Sequence, residues 1–179
     1  MILLGIGANL PSPHHGPPRA TCEAALAALD GSGIAVGRRS RWYRTAPVPA
    51  SAQPWYVNAV AALETGLAPD ALLHTLLGLE CQFGRVRGAP NAARVLDLDL
   101  LAHGDLVRRE APVLPHPRMA QRAFVLLPLA EVAPGWRHPV SGESVEALIA
   151  RLPPGQVAIP FDVSEGGPAP RPGATGAGV

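Results

Sequence analysis

Arg94-Val95-Leu96-Asp97-Leu98-Asp99-Leu100-Leu101 alternates apolar and charged residues with a period of two. That alternation marks a half-buried strand. Strand side chains point to opposite faces in turn. Leu96, Leu98 and Leu100 therefore face a core, while Asp97 and Asp99 sit side by side on the other face. Neighbouring carboxylates repel unless a positive charge lies between them. A Mg²⁺ ion that shares its coordination with phosphate oxygens meets that need.

Working upstream, Arg85-Val86-Arg87, a polar loop from Gly88 to Ala93, and Arg94 lead into this strand. Ion pairing with the two Asp is one reading of these arginines. Three guanidiniums exceed two carboxylates, however, and the surplus suits a phosphate chain. Ala68-Pro69-Asp70 opens a helix whose Leu72, Leu73, Leu76, Leu77 and Leu79 recur at helical spacing, ending near Gly84. Trp55 to Glu64 reads as a strand whose apolar run is interrupted by Asn58, a polar side chain that a neighbour or a ligand must satisfy. Ile34 to Tyr43 reads as another strand. The segment from Arg44 to Pro54 is too long and Pro-rich for a tight hairpin, and loops of that length in compact domains often carry function.

Met1 to Gly7 reads as a buried first strand, and its Gly5 and Gly7 suggest close approach of a backbone or a ligand. Pro11 to Pro18 is a loop with His14 and His15 at its tip. Arg19 to Leu29 is an Ala-rich helix closed by Gly31 and Gly33. Downstream of the acidic strand come a turn at His103-Gly104-Asp105, an extended Pro112 to Pro117, and a helical turn at Arg118 to Arg122. Helices are expected at Phe124–Ala133 and Ser144–Leu152.

A chain of 179 residues with 47% hydrophobic residues and a net charge of +1 suits one globular domain. Near-neutral charge speaks against nucleic-acid binding by bulk electrostatics. All 15 basic residues are Arg, which excludes lysine-based P-loop or Schiff-base chemistry. Cys22 and Cys81 stand alone in helices, so a disulfide framework or zinc site is not expected, and both are read as reduced and buried. With no leader-like or membrane-spanning run at the N-terminus, the expected location is the cytoplasm. The folded domain is expected over residues 1–152. Residues 153–179 hold six Pro and six Gly and read as a mostly disordered tail. Val157 to Val163 is the part of that tail suited to dock as a short strand. Truncation after Leu152 is expected to leave activity nearly intact.

The order strand, helix, strand, strand, helix, strand predicts an α+β fold, a ferredoxin-like antiparallel sheet with helices packed on it in α/β/α layers. Gly5-Ile6-Gly7-Ala8-Asn9-Leu10, Tyr43-Arg44-Thr45-Ala46-Pro47, Gln53-Pro54-Trp55-Tyr56-Val57-Asn58, Glu80 to Arg87, Arg94 to Asp99, Pro115-His116 and Arg122 to Leu129 occur in that order. This ordered set resembles the 6-hydroxymethyl-7,8-dihydropterin pyrophosphokinase family, and the resemblance runs from about Ile2 to Leu152.

The resemblance implies pyrophosphoryl transfer from ATP to the pterin hydroxymethyl group, with release of AMP, in folate biosynthesis. It implies that Asp97 and Asp99 hold two Mg²⁺ ions and that Asp97 contacts the attacking hydroxyl. Arg85 and Arg94 would stabilise charge in the transition state. Glu80, Arg87, His116 and Arg122 would contact ATP. Thr45, Ala46, Val48, Tyr56, Asn58 and Phe124 would form the pterin pocket. A monomer is expected, with no nucleic-acid or membrane partner.

The chain departs from the family pattern in the Gly88–Ala93 loop, which lacks the usual Trp and the Pro before the catalytic Arg. Ala8 replaces a Ser, Val113 stands where a hydroxyl residue is common, and Pro117 where an aromatic is. Two other classes compete with this reading: a different Asp-x-Asp metal-dependent transferase, and a non-catalytic ferredoxin-like binding module.

Overall fold

The computed structural model describes residues 1–86, 88 and 91–161. Among these described residues, six strands and four helices follow in the order β1 (Ile2–Ala8), α1 (Pro18–Asp30), β2 (Ala35–Arg39), β3 (Trp42–Thr45), β4 (Tyr56–Glu64), α2 (Pro69–Gln82), β5 (Asp97–His103), α3 (Ala123–Val132), α4 (Val145–Ala150) and β6 (Ala158–Phe161). A 3₁₀ turn at Met119–Gln121 precedes α3.

The strands form one antiparallel sheet in the order β5-β1-β4-β3-β6, with β2 also pairing with β4. Helices cover both faces, which is the expected α+β layering. β1 is apolar nearly throughout because it lies between β4 and β5, with protein on both its faces. Edge strand β2, by contrast, is mostly exposed.

Two cores result. On one face, Leu4, Ile6, Ala61, Leu96, Leu98 and Leu100 pack with Cys22, Leu26 and Leu29 of α1 and Leu72 and Leu76 of α2. On the other, Leu3, Val60 and Leu101 pack with Leu126, Leu129 and Val132 of α3 and Val145 and Leu148 of α4. Both helices α1 and α2 begin on a proline, whose missing N–H costs nothing at a helix start.

Several expectations change. The strand expected over Ile34–Tyr43 is two strands, separated at Ser40. The Ser40 hydroxyl accepts the Val60 N–H (3.1 Å) and its own N–H donates to the Val60 carbonyl (2.9 Å). The register between β2 and β4 slips beside that break. Cys22 is buried but Cys81 is exposed, because it falls on the outer side of α2. Burial also pushes the Cys22 thiol well above its ordinary range.

The domain boundary expected at Leu152 cuts off part of the sheet. Beyond it, β6 pairs with β3 from Trp42↔Phe161 to Thr45↔Ala158, and Phe161 packs against the first core. The rest of the expected tail, residues 162–179, lies outside the described residues. No helix among the described residues is long and apolar enough to cross a membrane.

Candidate active site

β5 follows the alternation of its sequence. Leu98 and Leu100 are buried in the first core, and Asp97 and Asp99 project from the opposite face. Further along that face Leu101 enters the α3–α4 core, so the same side of one strand turns from acidic to apolar. Beside the first turn of α3, the face is walled by the loop after β3 and by described residues of the segment before β5. A cavity of about 670 Å³ lies there.

The cavity brings together every residue expected from the sequence except three. Thr45, Ala46, Val48, Tyr56, Asn58, Arg85, Arg94, Asp97, Asp99, Arg122 and Phe124 all line it. Glu80 and His116 do not, and Arg87 lies outside the described residues. Gly7, for which the sequence suggests close approach of a backbone or a ligand, also lines it, as do Gln53, Asn91 and Arg118, which were given no site role from the sequence. The motif Gln53 to Asn58 was the only signal for Gln53, and Asn91 and Arg118 had none.

One cross-strand row organises the floor. Asn58 on β4 pairs with Gly7 on β1, and Gly7 with Asp97 on β5. Two strand spacings, roughly 10 Å, therefore separate an amide from a carboxylate on the same face. Asn58 is buried, and its Nδ2 donates to the Thr45 hydroxyl at 2.6 Å. Tyr56 on the same strand donates its hydroxyl to Gln53 Oε1 at 3.1 Å.

At the other end of the row, Asp97 takes a guanidinium on each oxygen. Arg85 donates to Oδ1 at 2.5 Å and Arg94 to Oδ2 at 2.7 Å. Arg85 also donates to Glu80, a fully buried carboxylate that accepts the Leu98 N–H at 2.7 Å. Glu80 thus lies beneath the site as a partner of Arg85, and the arginine surplus read from the sequence is smaller than it looks. Burial raises the pKa of the Glu80 carboxyl, against the pull of the Leu98 N–H and Arg85. For Arg85, burial works against the charge, but Asp97 and Glu80 outweigh it and raise its pKa.

Asp99 has a looser partner, Arg122 at 3.9 Å. Enclosure by protein and the adjacent Asp97 raise the pKa of its carboxyl, opposed by Arg122, Arg94 and Arg85. Arg122 spans from Asp99 to the face of Phe124, with its guanidinium carbon 5.2 Å from the ring centre.

His116 donates its backbone N–H to the Leu101 carbonyl, and its Nδ1 accepts the Arg118 N–H at 3.3 Å. Burial, then Arg122 and Arg118, pull its pKa down to about 4. Its ring is neutral near pH 7, with the proton on Nε2.

The donor set suits a hard divalent cation. Asp97 and Asp99 offer carboxylate oxygens from one face. Among the described residues, no cluster of three or more His, Cys, Asp or Glu is placed to hold a metal. Mg²⁺ is commonly held in this way, by one or two carboxylates with phosphate oxygens and water completing its shell.

Comparison with known proteins agrees with this geometry. Residues 3–134 match the family model described as 7,8-dihydro-6-hydroxymethylpterin-pyrophosphokinase. The chain is 41% identical over 152 residues to the 2-amino-4-hydroxy-6-hydroxymethyldihydropteridine pyrophosphokinase of Synechocystis, covering 84% of this chain and 75% of that one. It is also 41% identical to the protein of the same name from Methylorubrum extorquens, over 84% of this chain and 92% of that one. The fol1 folic acid synthesis protein of Pneumocystis carinii is 33% identical over 72% of this chain, which matches only 17% of that longer protein. With the family model spanning most of the sheet and its site, the chain belongs to the 7,8-dihydro-6-hydroxymethylpterin-pyrophosphokinase family.

Proposed function

We propose that this protein transfers the pyrophosphoryl group of ATP to the hydroxymethyl oxygen of 6-hydroxymethyl-7,8-dihydropterin, releasing AMP. The observation that carries the reading is the row Asn58–Gly7–Asp97. It sets an amide able to read a heterocycle edge about one bicyclic ring and a one-carbon arm away from a carboxylate flanked by two arginines. Asn58 presents both a donor and an acceptor to the pterin edge. Tyr56 and Phe124 supply aromatic surface beside it, and the segment Thr45 to Val48 closes the pocket.

In the transfer, the hydroxymethyl oxygen forms a bond to the β-phosphorus of ATP. The bond from that phosphorus to the bridging oxygen of AMP breaks, and the hydroxyl proton is released. Catalysis of such a displacement is mostly alignment and charge stabilisation. Arg85 and Arg94 converge where charge accumulates on the transferred group. Asp97 faces the attacking hydroxyl. Arg122 and Arg118 line the side of the cavity that suits the triphosphate, with the neutral His116 behind them. Two Mg²⁺ ions on Asp97 and Asp99, when bound, would neutralise the triphosphate and hold it in line. A nucleotide-sugar transferase is disfavoured because this antiparallel sheet lacks the parallel α/β layout of such enzymes.

Incubation with ATP, Mg²⁺ and the pterin, followed by nucleotide separation, tests the reading. One AMP per pterin diphosphate is expected. ADP as product, or no turnover, would overturn it.

A further inference from the structure

Asn9, the residue after β1, is only 2% exposed, and its side chain makes three hydrogen bonds, using both its donors and its acceptor oxygen. Oδ1 accepts the backbone N–H of Arg94 at 2.7 Å. Nδ2 donates to the Pro54 carbonyl at 3.1 Å and to Gln53 Oε1 at 3.3 Å. The backbone N–H groups of Asn9 and Leu10 both donate to the Arg94 carbonyl, at 3.0 and 3.1 Å. The Arg94 main chain is therefore gripped on both its N–H and its C=O by the end of a central strand.

Gln53 extends the network. Its Oε1 also accepts the Tyr56 hydroxyl, and its Nε2 donates to the Asn91 carbonyl at 2.9 Å. One pair of amides thus joins three parts of the cavity wall: the loop after β3, the aromatic Tyr56, and the segment leading to Arg94. Arg94 itself donates Nε to the Ala92 carbonyl and Nη1 to Asp97, so its guanidinium direction depends on where its main chain sits.

We propose that Asn9 is a positioning residue for Arg94 and that Gln53 couples this positioning to the pterin side of the cavity. The proposal rests on the functional reading above for the role of Arg94. A buried amide at the end of a strand could serve stability alone. Here, though, its acceptor goes to the residue that carries a transition-state guanidinium, and its donors go to the loop that walls the other substrate. Misplacement on the order of 1 Å can cost about 10²-fold in rate, so the grip on Arg94 has a kinetic consequence separable from folding.

The test is a double-mutant cycle in the full-length protein. Asn9→Ala is expected to lower kcat by about 10²-fold, with KM for ATP changed less than about threefold. In an Arg94→Ala background, Asn9→Ala is expected to add almost nothing, because it acts through the absent side chain. Asn9→Asp keeps the acceptor for Arg94 and loses the donors to Gln53 and Pro54. It should therefore restore most of the lost kcat while raising KM for the pterin. Gln53→Ala, in a surface loop, should raise KM for the pterin and leave the fold intact. Equal losses from Asn9→Ala with and without Arg94 would overturn the proposal.

A readout without turnover separates this proposal from the functional reading. The Arg94 Nε–H resonance, assigned by its loss in Arg94→Lys, should be slow to exchange in the parent protein and lose that protection in Asn9→Ala. An unchanged resonance would overturn the positioning role, whatever reaction the protein catalyses. Absence of AMP formation by the parent would instead overturn the functional reading alone.

Discussion

Gly7 lies directly under the Asn58 amide: a Cβ built on Gly7 would stand 2.3 Å from Asn58 Oδ1 and 3.3 Å from its Cγ. Nothing else in the row could fill that space without moving the amide off Thr45, to which it donates at 2.6 Å. Gly7→Ala is therefore expected to weaken pterin binding by roughly 10- to 100-fold, the cost of about 1–3 kcal/mol for displaced buried hydrogen bonds. Nucleotide affinity should change less than about threefold. Gly5 is the control, because its Cβ would meet Leu101 at an ordinary 3.4 Å. Calorimetric titration of both variants with pterin checks the pair. Equal pterin affinity in Gly7→Ala and the parent would show that Asn58 does not read the pterin.

Asp97 is the counter-charge of both Arg85 and Arg94. Asp97→Asn leaves Arg85 its bond to Glu80 but takes from Arg94 the carboxylate it pairs with. AMP formation is expected to fall by roughly 10³-fold or more, from lost metal affinity and misaimed guanidiniums together. The fold should persist, because the side chain is partly exposed and the leucines of β5 are untouched. Circular dichroism and an AMP assay on the same sample measure both. Unchanged turnover would remove Asp97 from the mechanism.

What was legible in the sequence was periodicity. β5 shows its carboxylates because one of its faces is buried and the other lines a cavity, so alternation survives in the residue string. Asn58 stood out for the same reason, as a polar break in an apolar run. Tertiary partners left no such trace. Glu80 follows the apolar helix positions of α2 like any helix-face carboxylate, and only the folded chain shows it buried between Arg85 and the Leu98 N–H. The break at Ser40 was hidden because Ile34 to Tyr43 has the composition of one strand, while the slip depends on a hydroxyl meeting Val60. Asn9 carries no signal of its own beyond its place in the Gly5–Leu10 motif, because its partners lie 44 to 85 positions away.

His116 provides a pH test. Its folded pKa of about 4 is below the ordinary value of 6.5 because of burial, then Arg122 and Arg118. Between those two values the unfolded chain takes up a proton that the folded chain refuses, so stability falls as pH drops from 6.5 towards 4. Below that range the contribution is constant. The loss specific to this residue is about 1–2 kcal/mol once solvent screening is allowed for. His116→Gln should remove that part of the slope, read as the difference in urea midpoints between pH 7 and pH 4.5. Ring NMR should show a neutral His116 at pH 5.5. A charged ring at that pH would contradict the buried, arginine-flanked setting.

Removing the residues after Leu152 tests whether the last strand belongs to the working domain. The deleted segment contains β6, which pairs along the whole of β3. It also contains Val157, whose carbonyl accepts the Ala46 N–H at 3.1 Å. Gln156 accepts the Ala123 N–H at 2.9 Å and donates to the Gln121 carbonyl at 2.8 Å, which caps the start of α3 one residue before Phe124. Losing a helix cap alone costs about 1 kcal/mol, and the lost strand adds to it. The truncated chain is expected to melt roughly 5–10 °C lower and to show a raised KM for the pterin, since Ala46 and Phe124 both line the cavity. Gln156→Ala should reproduce a smaller part of both effects, about 2–4 °C. A truncated chain with unchanged melting temperature and pterin KM would return the boundary to Leu152.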